Sequence, residues 1–248
     1  MNNEPLIVKI GKEKFKKNKD NKTLITPFLK DEEKDIFLND LVNYPHAFIL
    51  ACLMDKQIKA EKAWEIPVKI YKEFGTFDIY KLAKKSEKEY IKIFQKHKLH
   101  RFNVVSAKVF SQAVKDIINK YDGDVSIIWA NNPSSASVVY KFLEFEGCGK
   151  KIATMIANIL VRDFKIPFSD YYSIDISPDV HVQRVMKRMG FVDKNATLDM
   201  VIYKARELYP KFPGIIDFSC WEIGKNYCRP NSPKCKECIV NSECKKVI

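Results

Sequence analysis

Long apolar runs, glycine and strand-like patterns are all scarce in this 248-residue chain. No run of 18 apolar residues occurs, so the sequence predicts no membrane-spanning helix. Glycine appears only eight times, and no repeat or low-complexity linker is present, which argues against a repeat architecture or a string of flexibly joined domains. The lysine-rich start lacks the apolar stretch of a secretory signal. We therefore expect an all-α protein of the cytoplasm.

Apolar residues recur at helical spacing, and some glycines lie where such stretches should end. The periodic positions include Ile36, Leu41, Phe48, Ile49, Ala63, Ile66, Ile70, Phe74, Val109, Phe110, Val114 and Ile117. The glycines expected to end helices are Gly75, Gly123, Gly190 and Gly224. Residues 1 to about 29 show no clear periodicity. With 46% hydrophobic residues, the chain can form one or two buried cores.

The chain is strongly basic. It has 43 Lys and Arg against 31 Asp and Glu, a formal charge of +12. Such a surface attracts polyanions, nucleic acids among them. Charge alone also fits a lysine-rich protein that is merely soluble, so it does not decide the function.

Four of the seven cysteines lie close together near the end of the sequence, with the spacing C-x6-C-x2-C-x5-C; they are Cys228, Cys235, Cys238 and Cys244. The short loops between them let all four sulfurs reach one centre, which leaves three alternatives: a zinc site, two disulfides or an iron–sulfur cluster. Structural zinc usually has two C-x2-4-C pairs, whereas only one occurs here. Disulfides suit small secreted proteins. The other three cysteines, Cys52, Cys148 and Cys220, are predicted to be ordinary thiols.

A Gly-x-Gly turn separates two amphipathic segments between Ser135 and Phe164. Gly147 and Gly149 allow the backbone to turn tightly and approach a phosphate, while the helix that follows offers free N–H groups. This pattern predicts a helix-hairpin-helix that grips the DNA backbone without reading sequence. An ordinary αα-hairpin is the alternative, and the adjacent Lys150 and Lys151 favour phosphate binding.

A third segment places an aspartate at a helix start. Ser177 is predicted to cap this helix, with Pro178 at its first position and Asp179 in its first turn. Asp170 and Asp175 are the alternative acids nearby.

These segments together resemble the endonuclease III family of DNA glycosylases. The cysteine spacing matches the family's [4Fe–4S] cluster loop. Residues 145–153 resemble the hairpin L-P-G-V-G-R-K-T-A, residues 178–185 resemble V-D-T-H-I-F-R-V, and residues 45–57 align without gaps to P-F-E-L-L-I-A-V-L-L-S-A-Q.

The resemblance implies a two-lobed all-α fold that binds double-stranded DNA as a monomer, in the cytoplasm and at the nucleoid. A helical barrel would span 38–163, and a cluster lobe would combine 164–248 with the N-terminal segment 1–37; DNA would cross between the lobes. The substrate would contain a damaged or mismatched base or an abasic site.

The same resemblance implies the site residues. Lys151 would be the nucleophile that forms a Schiff base, and Asp179 would stabilise the cationic sugar and assist proton transfer. Gln57 would fill the space left by the extruded base. A wedge residue is expected near 99–102. The DNA backbone would be contacted by Gly147, Gly149, Lys150, Arg229 and Lys234, and the [4Fe–4S] cluster would be held by Cys228, Cys235, Cys238 and Cys244.

Three departures from the family pattern affect the substrate. Glu146 replaces the hairpin proline, residues 54–60 lack the polar set around the family's glutamine, and extra residues including Tyr171 and Tyr172 precede Asp179. A remodelled pocket is therefore expected. Two alternatives to a bifunctional enzyme remain: a water-using glycosylase in which Lys151 only binds DNA, and a non-catalytic binder of DNA structures.

Overall fold

A computed structural model describes residues 4–20 and 25–247, and every regular element in those ranges is helical. This confirms the all-α prediction. Twelve α-helices are present in the described residues, with short 3-10 helices at 125–128, 213–216 and 235–237. The α-helices are α1 (Leu6–Asp20), α2 (Glu32–Asn39), α3 (Pro45–Leu53), α4 (Ala60–Phe74), α5 (Ile79–Ala83), α6 (Glu87–Lys96), α7 (Asn103–Tyr121), α8 (Ser135–Leu143), α9 (Lys150–Arg162), α10 (Val180–Arg188), α11 (Leu198–Leu208) and α12 (Asp217–Asn226).

The chain folds into two compact units. One comprises Met1–Lys22, Pro133–Val139 and Ala153–Ile248, and we call it the cysteine unit. The other comprises Thr23–Asn132 and Tyr140–Ile152, and we call it the hairpin unit.

Helix α3 is the centre of the hairpin unit. All nine of its residues are buried, and it packs against α4 and α7. A helix apolar on every side can only be stable when other elements cover it. Nearby, the buried ring of His46 stacks on Phe77, with centroids 5.1 Å apart, and its Nε2 lies 2.8 Å from the Phe77 carbonyl oxygen. The loop that follows α3 therefore starts from a rigid support.

Helix α1 belongs to the cysteine unit and forms although the sequence from residue 1 to about 29 shows no clear helical periodicity. Among residues 4–17 of the chain, the buried ones are Ile7, Val8 and Gly11, and Gly11 lies one helical turn after the other two. A Cβ at Gly11 would lie 2.3 Å from the Ile215 carbonyl oxygen, so glycine permits this close packing. The sequence shows little helical periodicity here because few of the helix positions are buried and one of them, Gly11, has no side chain.

Three of the four glycines expected to end helices do so. Gly75, Gly123 and Gly190 follow α4, α7 and α10, and all have positive φ. The prediction for Gly224 was wrong, since it lies inside α12. A Cβ there would be 2.6 Å from the Cβ of His181, so this glycine serves the close packing of α10 against α12.

Candidate active site and cysteine cavity

The predicted hairpin is present in the hairpin unit, between the end of α8 and the start of α9. The N–H of Cys148 donates to the Phe145 carbonyl at 3.0 Å, closing a four-residue turn whose third residue, Gly147, has a φ of +75°. Positive φ at that position is typical of a type II turn and favours glycine. The second glycine differs, because a Cβ at Gly149 would meet nothing within 4 Å. The fold therefore favours glycine at 147 but leaves open space at 149.

Lys150 and Lys151 form the first two residues of α9. Lys150 is exposed. The side chain of Lys151 is 42% exposed, and its Nζ lies 3.6 Å from a carboxylate oxygen of Asp55. Asp55 is only 15% exposed. The hairpin unit thus places a half-exposed amine beside a largely buried carboxylate, a pairing that the motif comparison did not reveal.

The loop after α3 carries Asp55, Lys56 and Gln57 past the hairpin. The Nζ of Lys56 lies only 2.7 Å from where a Gly147 Cβ would be. Burial lowers the pKa of Lys56, and the charge of Glu146 opposes that effect. Gln57 is exposed and has a φ of +53°, which is uncommon for a residue other than glycine. The loop therefore has a specific conformation, with Asp55 beside the start of α9 and Lys56 beside the hairpin turn.

His100 is buried beneath this loop and binds the backbone at its start. Its ring is buried, its Nδ1 accepts from the Phe102 N–H at 3.0 Å and its Nε2 donates to the Met54 carbonyl at 3.2 Å. A ring that accepts at one nitrogen and donates at the other is neutral. Burial lowers the pKa of His100, which agrees with the neutral form.

In the cysteine unit, Asp179 is the N-cap of α10 rather than a first-turn residue, which corrects the sequence expectation that Ser177 caps the helix. The backbone of Asp179 is extended, with φ −72° and ψ −178°. Its Oδ1 accepts from the N–H groups of His181 and Val182, both at 2.8 Å. Among the described residues, no hydrogen bond reaches the second oxygen, Oδ2. One oxygen of the carboxylate therefore caps the helix, and the other is available for chemistry.

The two alternative acids are engaged by other groups of the cysteine unit. Asp175 is buried and receives two hydrogen bonds from Arg206, at 2.7 and 2.9 Å. Asp170 accepts from the hydroxyl of Ser135 and from the Tyr172 N–H. Within the inserted segment, Tyr171 stacks on Phe212 with centroids 5.0 Å apart, which anchors the segment to the unit.

The four clustered cysteines line one partly open cavity of the cysteine unit, with a volume of about 30 Å³. Burial raises the pKa of Cys238; a hydrogen bond from the Val240 N–H opposes this effect, and the neighbouring thiols add to it. Arg188 lies 3.7 Å from the Cys228 sulfur. The side-chain oxygen of Asn241, another lining residue, is buried without a hydrogen-bond partner in the described part of the chain.

Within residues 4–20 and 25–247, no group of three or more His, Cys, Asp or Glu side chains has the arrangement of a metal site. Four cysteine side chains nonetheless line this one cavity, and four thiolates are the donor set that a cysteine-bound cluster or zinc ion would need. The remaining cysteines, Cys52, Cys148 and Cys220, are buried free thiols. Burial raises the pKa of Cys148 to about 12, which agrees with its predicted inert role.

Helix α10 connects Asp179 to the cysteine loop. Arg184, on this helix, donates to the carbonyl oxygens of Cys228 and Gly224 at 2.5 and 2.9 Å. Arg188 donates to the carbonyl of Arg229 at 2.6 Å. The side chains of Arg229 and Lys234 are exposed on this loop, and Lys234 pairs with Glu237 at 3.2 Å. No helix in the described residues is long and apolar enough to cross a membrane.

The described residues contain two helices joined by a Gly-x-Gly hairpin, and comparisons with known proteins show what the chain is similar to. No protein-family model matches the chain. The structure of a trapped endonuclease III–DNA covalent intermediate matches it with a TM-score of 0.60 and 17% identity, over 87% of this chain and 95% of the other. A thermostable thymine-DNA glycosylase matches with a TM-score of 0.62 and 15% identity, over 97% and 96%.

In sequence, the chain is 23% identical to the endonuclease III of Thermotoga maritima over 201 residues, which are 81% of this chain and 82% of that protein. The chain is therefore endonuclease III-like. It has the fold of these helix-hairpin-helix DNA glycosylases and a distantly similar sequence, which confirms the resemblance seen in the motifs.

Proposed function

We propose that this protein is a base-excision DNA glycosylase with lyase activity at abasic sites. It extrudes a damaged or mismatched nucleotide from the duplex, because the bond to be broken is shielded within the base stack. The amine of Lys151 attacks C1′, the base leaves with the bonding electrons and a proton, and a Schiff base forms. β-Elimination from this intermediate then nicks the strand.

The position of Lys151 is the observation that carries this proposal. Its amine is half-exposed in the first turn of α9, directly after the hairpin turn at Gly147. Free N–H groups at a helix start attract phosphate. A nucleophile placed here is therefore held beside the DNA backbone. The proposal also agrees with the fold of a protein trapped as a covalent DNA intermediate.

Asp179 is proposed to stabilise the cationic sugar through Oδ2, since Oδ1 already bonds to the helix N–H groups. Capping fixes the orientation of the carboxylate before substrate arrives, and a fixed charge avoids reorganisation during the reaction. Asp175 is a weaker candidate because Arg206 occupies both of its oxygens.

The DNA contacts are proposed as follows. The hairpin backbone at Gly147 and Gly149 and the ammonium of Lys150 bind phosphates, while Gln57 fills the space left by the extruded nucleotide. For the wedge, Leu99 is 5% exposed and Phe102 is 44% exposed. Phe102 is therefore the apolar residue in the stretch 99–102 that is able to enter a duplex.

The four cysteines are proposed to hold a [4Fe–4S] cluster of structural role, which would fix their loop so that Arg229 and Lys234 face phosphates. The division into a barrel at 38–163 and a cluster lobe formed by 164–248 with 1–37 is part of the same proposal. When bound, the cluster would cross-link the loop by bonding to the thiolates of the four cysteines.

Borohydride trapping on a duplex with one abasic site tests the nucleophile without guessing the lesion. We expect a covalent adduct with the unaltered protein and none with Lys151→Ala. Lys150→Ala is the matched control, since it removes the neighbouring ammonium and should weaken DNA binding while leaving adduct formation intact. An adduct that persists in Lys151→Ala would refute the assignment. No adduct from well-folded protein with a loaded cluster would favour a water-using glycosylase or a non-catalytic binder.

The Asp179→Asn variant separates the proposed catalytic role of Asp179 from its role as the N-cap of α10. Asparagine is as good an N-cap as aspartate, so folding stability should change by less than about 0.5 kcal/mol. Loss of the charge should slow base release by ~100-fold or more, the scale of a single electrostatic contributor. Base release at the normal rate by this variant would exclude Asp179 as the catalytic acid.

A further inference from the structure

The loop after α3 brings a second carboxylate to the proposed nucleophile. Asp55 lies two residues beyond the end of α3, and its N–H donates to the Cys52 carbonyl at 3.0 Å. The carbonyl of the preceding residue, Met54, accepts from the buried His100 ring. The backbone on which Asp55 stands is therefore fixed by the core of the hairpin unit.

The contact between the two side chains joins groups of very different mobility. Lysine has a long side chain with high rotamer entropy, whereas the Asp55 carboxylate is short and 15% exposed. Its oxygen lies 3.6 Å from the Lys151 Nζ. An ion pair with one largely buried partner is screened less than a pair in water. The carboxylate is thus able to restrict where the amine points.

The proposed reaction also requires Lys151 to lose a proton, because only the free amine has the electron pair that attacks C1′. A proton acceptor must lie within hydrogen-bond reach of the group it deprotonates, allowing for contacts that tighten once substrate is bound. The Asp55 carboxylate oxygen, 3.6 Å from the Lys151 Nζ in the free protein, lies just beyond that reach, and a small movement of the lysine side chain would close the gap.

We propose that Asp55 is a positioning residue for Lys151 that aims its amine and accepts its proton. This inference rests on the proposed function. The Asp55 carboxylate takes one proton from the Lys151 ammonium, which leaves a neutral amine and a carboxylic acid. On abasic DNA the amine then adds to the C1′ aldehyde, and water departs as the Schiff base forms.

This role also accounts for a departure from the family pattern, since the sequence at 54–57 reads Met-Asp-Lys-Gln where the relatives' motif has L-S-A-Q. A serine hydroxyl at this place would be a weak acceptor, whereas a carboxylate is charged and has two acceptor oxygens. Asp55 therefore adds a function to the loop instead of merely altering its polarity.

The test compares Asp55→Asn with Asp55→Glu in single-turnover borohydride trapping on abasic duplex, at protein concentrations that saturate the DNA. We expect Asp55→Asn, which keeps the shape but cannot take the proton, to trap ~100-fold more slowly, within the range of proton-transfer catalysis. Asp55→Glu should recover at least part of that loss. Melting temperature and DNA affinity, measured in parallel, should stay near the unaltered values for both variants.

Glu87→Gln is the matched control, because it also removes one negative charge from the hairpin unit but at an exposed position on α6, away from the hairpin. It should trap at the unaltered rate. The proposal is overturned if Asp55→Asn forms the trapped adduct as fast as or faster than the unaltered protein. That result would mean that Asp55 only pairs with the Lys151 ammonium and does not assist its reaction. A glutamate variant no faster than the asparagine variant would also overturn it. Failure of the proposed function looks different, since the unaltered protein would then give no adduct or Lys151→Ala would give one.

Discussion

The two hairpin glycines should respond in opposite ways to the same substitution. Gly147 has a φ of +75°, whereas Gly149 has no left-handed backbone and its Cβ position is open. Alanine at 149 therefore meets no obstacle in the free protein. If the hairpin backbone closely approaches a DNA phosphate, however, the added methyl group would occupy the space that the phosphate needs.

The expected changes in folding stability and in DNA affinity follow from these environments. Gly149→Ala reduces the entropy of the unfolded chain, which stabilises by about 0.4–1 kcal/mol. Alanine is a poorer residue than glycine just before a helix, which costs a similar amount. The net change in unfolding free energy should thus stay within about 0.5 kcal/mol of zero. Loss of one backbone hydrogen bond to a charged phosphate is worth about 1.5–3 kcal/mol, or roughly 10- to 100-fold in Kd.

Gly147→Ala is the internal comparison. A left-handed conformation costs a residue with a Cβ about 1–2 kcal/mol, which in a chain of this size lowers Tm by roughly 2–8 °C. The Lys56 ammonium near that Cβ position is the end of a flexible side chain and can move away. The fold should therefore survive, with reduced stability.

The assay is fluorescence anisotropy on a labelled duplex at fixed salt, paired with thermal melting of each free protein. We expect Gly149→Ala to melt normally and bind weakly, and Gly147→Ala to melt early. Normal DNA binding by Gly149→Ala would contradict this prediction. The segment would then be an ordinary αα-hairpin whose glycine at 149 is not needed for DNA.

Three further predictions concern charge, pH and the cysteines. Glu146→Gln should tighten DNA binding by up to about fivefold at low salt, because one repulsive charge near phosphate is worth at most about 1 kcal/mol in water. Unchanged Kd values in a salt series would show that Glu146 points away from DNA. Burial lowers the pKa of His46 and His100 below the ordinary 6.5, so the unfolded chain binds more protons than the folded one. The melting temperature should therefore fall as pH drops from 6.5 through the folded-state pKa values. If the melting temperature of a His100→Gln variant depends on pH as steeply as that of the unaltered protein, the prediction is wrong for His100. Purified protein should contain iron and inorganic sulfide in equal amounts, and Cys238→Ser should lower both, whereas zinc without sulfide would rule out the cluster.

Local sequence signals predicted the parts of the molecule that are built from neighbouring residues. The hairpin could be predicted because a turn with positive φ needs glycine, and Gly147 supplies it at the expected place. Helix ends at Gly75, Gly123 and Gly190 were predicted for the same reason. Gly224 misled because glycine also serves close helix packing, and the sequence does not distinguish a glycine that ends a helix from one that accommodates a neighbour.

Asp55 shows what sequence comparison leaves out. In the alignment it appears only as a departure from the family motif, and the role proposed for it rests on a contact with Lys151, far along the chain. The loop conformation that creates the contact depends on the buried His100 ring and on positive φ at Gln57. Neither feature has a local pattern, because both result from how the hairpin unit packs.

Asp179 shows how a shift of one helical position alters a chemical interpretation. In a first turn, a carboxylate interacts with the helix mainly through its charge, and both oxygens stay available. As the N-cap it commits Oδ1 to two N–H groups and fixes the direction of Oδ2. Substitutions that remove the cap, such as Asp179→Ala, would therefore combine a stability loss of about 1 kcal/mol with any loss of chemistry. Asparagine at this position keeps the cap while removing the charge, and the rate of base release by that variant measures the catalytic contribution alone.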